Sequence, residues 1–146
     1  MGAANAIEGT YMLDTNIISA LVRDPHGPVN AKLRASLDAY ANATFCTSIV
    51  VAAEIEFGLR KGVSERLRTQ VNAIMHSLDI LPLAAPVHLH YGEIRAILQQ
   101  QGKMIGGNDL LIAAHARALG ITLVTNNMRE FIRVPGLQLE NWLDIG

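Results

Sequence analysis

Apolar residues along this chain keep two rhythms. Short apolar runs, Tyr11-Met12-Leu13, Thr44-Phe45-Cys46-Thr47, Ile80-Leu81-Pro82-Leu83, Ile121 to Thr125 and Leu137 to Leu139, read as strands, the proline placing the third at a sheet edge or strand end. Between them apolar positions recur every three or four residues, as in Ile17, Ile18, Leu21 and Val22, then Leu33 and Leu37, then Leu67, Val71, Ile74 and Leu78, then Leu89, Ile94, Ile97 and Leu98. That spacing predicts helices. Further helices run from Val51 to Leu59, from Asp109 to Leu119 and briefly near Met128 to Phe131. Thr15 or Asn16, Ser48, Ser64 and Asn108 are the expected caps, and Pro86 opens another helix. Arg60-Lys61-Gly62, Gly102 and Gly120 mark helix ends. Strands alternating with helices or helix pairs predict an α/β fold with a mainly parallel sheet covered on both faces.

The first strand stops abruptly at Asp14, followed by Thr15 and Asn16. In open α/β sheets ligands sit outside the carboxyl ends of the strands, so Asp14 stands where such folds keep their chemistry. A plain helix cap is the structural alternative. Two more acids hold comparable places. Glu54 interrupts Val50-Val51-Ala52-Ala53 and Ile55 in what reads as a largely buried helix, and Asp109 opens the apolar run Leu110-Leu111-Ile112-Ala113-Ala114. An ionised carboxylate in such surroundings costs several kcal/mol unless compensated. Each acid alone could form a salt bridge or cap, Glu54 with Arg60 or Arg95 for example. Three acids converging at one end of a sheet would repel one another. A hard divalent cation relieves that repulsion and can activate water for attack at phosphorus.

Bulk properties narrow the field. The 146 residues suit one domain, half of them are apolar, and the net charge of -1 gives no global attraction to nucleic acid. No apolar run approaches the roughly 20 residues that span a bilayer. Residues 1 to 10 lack any period and the basic and hydrophobic parts of a secretion signal, so a flexible tail and a soluble, cytoplasmic protein are expected, with residues 11–146 as the folded domain. The single cysteine, Cys46, excludes an internal disulfide and reads as a buried thiol. His88 and His90, two apart, face different sides of a helix; His115 reads as a core histidine and Trp142 as a core side chain.

The segments Met12-Leu13-Asp14-Thr15-Asn16, Ala53-Glu54-Ile55-Glu56-Phe57-Gly58, Gly106 to Ala116, Leu123 to Phe131, Arg133-Val134-Pro135-Gly136-Leu137 and Glu140-Asn141-Trp142, in that order and spacing, resemble the PIN-domain ribonuclease toxins of the VapC family. The resemblance implies a three-layer α/β/α PIN-like domain and an endoribonuclease dependent on Mg2+ or, as a substitute, Mn2+. It makes Asp14, Glu54 and Asp109 the catalytic acids, with Asp14 and Asp109 the principal metal ligands. Where many PIN domains carry a fourth acid, this chain has Asn127, which can coordinate through its carbonyl or orient water; Thr125 is a candidate hydroxyl donor. It also implies structured RNA such as transfer RNA as substrate, a homodimer, and a small cognate antitoxin that builds a larger heteromeric assembly. Arg60, Lys61, Arg66 and Arg68, Arg95 with Lys103, or Arg129 with Arg133 are candidate phosphate contacts, or simply solvated helix faces. A catalytically silent PIN-like binding module is the second reading. An aspartyl-phosphate phosphatase or receiver is disfavoured by Asn16, which stands where those phosphatases want a second Asp.

Overall fold

The computed structural model describes residues 8–143. In chain order it contains β1 (Thr10–Leu13), α1 (Thr15–Arg23), α2 (Pro28–Ala39), β2 (Thr44–Ser48), α3 (Ile49–Leu59), α4 (Glu65–Ser77), β3 (Asp79–Leu81), α5 (Val87–Gln101), α6 (Gly107–Leu119), β4 (Thr122–Val124), α7 (Met128–Phe131) and β5 (Leu139–Glu140). The strands form one five-stranded sheet in the order β3-β2-β1-β4-β5, every pair parallel. Tyr11, Met12 and Leu13 are all buried, as are Leu123 and Val124. Because successive strand residues point to opposite faces, β1 and β4 are covered on both sides, and the layers are helix, sheet, helix.

From β1 the chain first builds outward through β2 to β3, then returns to lay β4 and β5 on the other side. The reversal falls between β1 and β4, and a crevice at the carboxyl ends of those two strands is where such sheets bind ligands. Register holds the crevice: Leu13 pairs with Val124, and Asp14 N donates to Val124 O at 2.9 Å. Behind it, Trp142 packs in the core against Tyr11, ring centroids 5.3 Å apart.

Several local expectations meet the structure intact. Ser48 and Ser64 cap α3 and α4, accepting from Val50 N and Leu67 N, each at 3.1 Å. Gly102 and Gly120 end α5 and α6 with φ of 67° and 68°, the left-handed conformation that favours glycine. β3 lies at the sheet edge with Pro82 just beyond it.

Others are corrected. The cap of α1 is Asp14, not Thr15 or Asn16; α6 is capped by Gly106, so that Asn108 falls inside the helix. β5 pairs at Leu139–Glu140 rather than over 137–139, because the register with Leu123 and Val124 sets it. Leu37 and Leu89 are exposed, at 47% and 65%, on the outer sides of helices that turn other apolar residues inward. α3 is apolar on all sides yet only one side meets the core, leaving Phe57 65% exposed. Of the expected tail, residues 1–7 lie outside the described residues, while Gly9 O accepts from Thr44 N at 2.7 Å and Thr10 belongs to β1. Among the described residues no helix is long and apolar enough to cross a membrane.

Candidate active site

Asp14 leaves β1 at the switch point and is 4% exposed. Its Oδ1 accepts from Thr15 N at 2.8 Å, which caps α1, and its Oδ2 accepts from Thr125 Oγ1 at 2.8 Å. One carboxylate therefore serves both as the cap and as the floor of the crevice. Burial raises its pKa, the Thr125 and Thr15 bonds oppose the rise, and the charge of Glu54 adds to it.

Glu54 enters from α3, whose start is fixed by the Ser48 cap. It is half-buried, and its Oε1 accepts from Thr15 Oγ1 at 2.8 Å. Asn108 Nδ2 lies 3.5 Å from its other oxygen, which gives this asparagine a place at the crevice instead of the expected cap. The salt bridges proposed for Glu54 do not form: Arg60 pairs with Glu56 at 2.9 Å and Arg95 donates to the Tyr91 hydroxyl at 2.8 Å.

Asp109, third residue of α6, reaches the crevice from the opposite helix. Its pKa is pushed up to about 7, first by burial, then by its hydrogen bond with Glu130 and by the charges of Asp14, Glu130 and Glu54. Three acids distant in sequence thus act on one another, and a fourth joins them. Glu130 was not among the residues singled out from the sequence. Asn127 Nδ2 donates to Glu130 Oε2 at 2.6 Å and approaches Asp109 Oδ2 at 3.3 Å, and Gly106 N donates to Glu130 Oε1 at 3.2 Å. Those donors, led by Asn127, lower the pKa of Glu130 while that of Asp109 rises, so the pair holds its proton on Asp109.

Asn127 therefore turns its amide nitrogen, not its carbonyl, to the acids. The fourth carboxylate comes one helical turn later, from α7, where a spacing of three residues returns to the same helix face. Thr125 is fully buried just beyond β4; besides donating to Asp14 it accepts from Asn127 N at 3.0 Å. Asn16 Oδ1 accepts from Asn126 N at 2.9 Å, joining α1 to the same turn.

The donor set decides what this crevice fits. Four carboxylates and no sulfur or imidazole suit a hard divalent cation. The ion pairs among the described residues, Arg60 with Glu56 and Arg117 with Glu93, engage none of the four. Their hydrogen bonds come from neutral hydroxyls and amides, on Thr15, Thr125, Asn127 and Asn108, with the charge of Arg133 near Glu130, and among the described residues the side chains are not gathered into one tight cluster of acids, histidines or cysteines. Charge and ligand type fit the ion.

The remaining candidates sort cleanly. His115 is buried, its Nδ1 2.8 Å from Ser48 Oγ, with a further hydrogen bond to the Pro82 backbone. With burial lowering its pKa, this is a neutral core histidine whose ring bonds the Ser48 hydroxyl and the Pro82 backbone. Arg68 donates to Leu59 O at 2.9 Å, Lys61 lies over the Phe57 ring, and Arg133 donates to backbone carbonyls, so several basic candidates already have structural partners. Beside Glu54, between α1, α3 and α4, lies an apolar cavity of about 320 Å³ lined by Ile18, Val22, Leu59 and Val71. On the other side of α3 a second groove runs between Phe57 and Leu111.

A parallel sheet with carboxylates crowded at its switch point defines a class, and the comparisons agree. The PIN domain family model matches residues 11–137. The chain is 42% identical over 135 residues to ribonuclease VapC2 of Rickettsia felis, covering 90% of this chain and 97% of that protein. It is 37% identical over 133 residues to the tRNA(fMet)-specific endonuclease VapC of Shigella flexneri, covering 90% and 97%. Among solved structures, VapBC2 of Rickettsia felis bound to a DNA fragment from its promoter superposes with a TM-score of 0.83 at 39% identity, covering 91% of this chain and 98% of that one. The chain belongs to the PIN-domain family, and within it to the VapC ribonucleases.

Proposed function

We propose that this protein is a divalent-metal-dependent endoribonuclease, the toxin of a toxin–antitoxin pair, acting on structured RNA with transfer RNA as the favoured substrate. The observation that carries the reading is that Asp14, Glu54, Asp109 and Glu130 border one crevice and, among the described residues, form no salt bridge with an arginine or lysine, although the charge of Arg133 reaches Glu130. Asp14 and Asp109 would hold the cation, Mg2+ or Mn2+. Bound there, it would lower the pKa of water and offset charge on the phosphodiester. Glu54 would orient the attacking water and take its proton; as the new phosphorus–oxygen bond forms, the bond to the leaving oxygen breaks, and that oxygen takes a proton from solvent water, Glu54 returning its own to solvent. Thr125 and Thr15 hold two of the carboxylates in place throughout.

An acidic crevice repels RNA by itself, so a cation and basic residues at its rim must supply attraction. The same charge explains inhibition by a small antitoxin that plugs the crevice with a basic side chain, while the apolar grooves on either side of α3 offer seats for protein partners, the antitoxin and a second copy. Asn127 in place of an acid was the reason to keep a silent binding module in view. Glu130 brings a fourth carboxylate to the crevice beside Asn127, which supports the catalytic reading over the silent one.

The test is cleavage of purified transfer RNA by the purified chain. Cleavage should require Mg2+ or Mn2+, stop with chelator, and disappear in Asp14→Asn although the variant still folds. Full activity in chelator, or in Asp14→Asn, would overturn the reading.

A further inference from the structure

α6 delivers Asp109 to the crevice, yet its start has no side-chain cap. The loop that leads into it anchors only Ile105 in the core; Lys103, Met104 and Gly106 are exposed. Lys103 N donates to Leu98 O at 2.9 Å, which ties the start of the loop to α5, and a pair of grips from the segment around α7 holds the rest. Glu130 accepts from Gly106 N, as described above. Arg133 Nη1 donates to Met104 O at 3.1 Å and to Lys103 O at 3.4 Å. Arg133 is itself aimed by a tight turn, in which its N donates to Glu130 O and Val134 N donates to Phe131 O, each at 3.1 Å, with Phe131 and Val134 buried.

The two grips are not equivalent. Glu130 also accepts from Asn127 and borders Asp109, so any pull on its carboxylate toward a cation loosens its hold on Gly106. The guanidinium, whose charge also acts on Glu130, is not a ligand for a cation and keeps its hold on the carbonyls when one binds, and hydrogen bonds from a charged donor are stronger than those between neutral groups. We propose that Arg133 is a positioning residue for the metal site: it holds residues 103–106 against the α7 segment so that α6 presents Asp109 in register with Asp14 and Glu130. This rests on reading the four acids as a cation site. The competing role for the same side chain, a phosphate contact through the N–H groups that the two carbonyls leave over, is an outcome of the test.

The test is Mn2+ binding to the full chain without RNA, followed by the electron paramagnetic resonance signal of free Mn2+, together with cleavage kinetics. In R133Q the Mn2+ affinity should fall about tenfold, as for other residues that orient metal ligands. The kcat at low Mn2+ should fall with it and recover at high Mn2+, with KM for transfer RNA and its salt dependence unchanged. R133K keeps the charge and reaches the carbonyls less well, so it should bind Mn2+ with intermediate affinity. Should R133Q fail to fold, R133K decides alone, by a drop in Mn2+ affinity at constant KM. Lys32→Gln, on the exposed side of α2 and in neither the crevice nor its loop, should leave both quantities unchanged. Unaltered Mn2+ affinity in both Arg133 variants overturns the inference, as does a raised KM with a shallower salt dependence, the mark of a lost phosphate contact. A wild-type chain that binds no Mn2+ is a separate result, which removes the cation site itself and this inference with it.

Discussion

Thr125 donates its hydroxyl to Asp14 at 2.8 Å, across 111 residues of sequence. Both groups are buried, so this bond ties the ends of β1 and β4 together and aims the carboxylate at the same time. Replacing Thr125 with valine keeps the shape and removes the donor. Asp14 is then left with Thr15 N and a distant Asn16, and a buried acceptor that loses its partner costs about 1 to 3 kcal/mol. Thr125→Val should lower the melting temperature and reduce RNA cleavage about 10- to 100-fold, the usual range for a residue that orients a metal ligand. Thr125→Ser should restore most of both. Melting curves and cleavage rates at saturating Mn2+ check it, and a valine variant with wild-type rates would deny Thr125 this role.

Asn127 gives a sharper contrast. Its amide nitrogen stands between Asp109 and Glu130, where it does part of what a cation would do. Asn127→Asp replaces that donor with another negative charge beside two carboxylates. The variant should melt lower than wild type in chelator and gain more from added Mn2+, because the ion then relieves more repulsion. Glu130→Gln should also melt lower in chelator, because the folded protein favours its carboxylate through Asn127, Gly106 N and the Arg133 charge, but it should bind Mn2+ more weakly and gain less from it. Thermal melts with and without Mn2+ decide both, and equal Mn2+ shifts in all three proteins would separate this pair of side chains from the metal.

How far the site could be read from the sequence follows from the surroundings of each acid. Asp14 ends an apolar strand and Glu54 and Asp109 interrupt apolar stretches, so each is costly where it stands and therefore visible. Glu130 lies in Met128-Arg129-Glu130-Phe131, next to an arginine on a short exposed helix, where an acid costs nothing and draws no notice. The one signal that could have found it is its spacing of three from Asn127, which returns to the same helix face. The cap of α1 was ambiguous for a different reason. Asp14, Thr15 and Asn16 can all cap, and the choice falls to Asp14 because its backbone N–H is the last to bond β4. Asn108 was read as a cap because it precedes an acid and an apolar run, while its side chain is directed to Glu54 by a helix 54 residues earlier. Apolar periodicity located α3 and α5 but not which sides face solvent: Phe57 and Leu89 keep the rhythm of the core and lie outside it.

Asp109 links the site to stability. Its pKa in the folded protein is about 7, above the ordinary carboxyl value of 3.8 that the unfolded chain keeps. Between those values the folded state binds more protons than the unfolded state, so in metal-free protein this group makes stability fall as pH rises from about 4 to about 7. Asp109→Asn removes the penalty. In chelator at pH 8 the variant should melt higher than wild type, with the difference shrinking as pH is lowered toward 4, while its cleavage of RNA is lost. Melting curves across that range measure the effect, and a variant less stable than wild type at pH 8 would contradict the crowding described here.

His115 should give the opposite pH dependence from a place outside the crevice. Burial lowers its pKa below the ordinary value of 6.5, and its two hydrogen bonds suit the neutral ring. As pH falls through 6.5 the unfolded chain takes up a proton that the folded protein refuses, so stability is lost progressively down to the lower pKa of the native state. The loss should reach α3 first. Ser48 caps that helix and bonds to His115, so charging the imidazole, which makes both ring nitrogens donors, disturbs the bond to the Ser48 hydroxyl. His115→Gln cannot take the charge. It should cost about 1 to 3 kcal/mol at pH 7.5, through poorer packing and one lost bond, but its stability should decline less steeply than that of wild type between pH 6.5 and 5. Denaturant titrations at a series of pH values give both quantities. Parallel pH profiles for the two proteins would show that His115 does not titrate on unfolding, and the neutral form assigned to it would have to be abandoned.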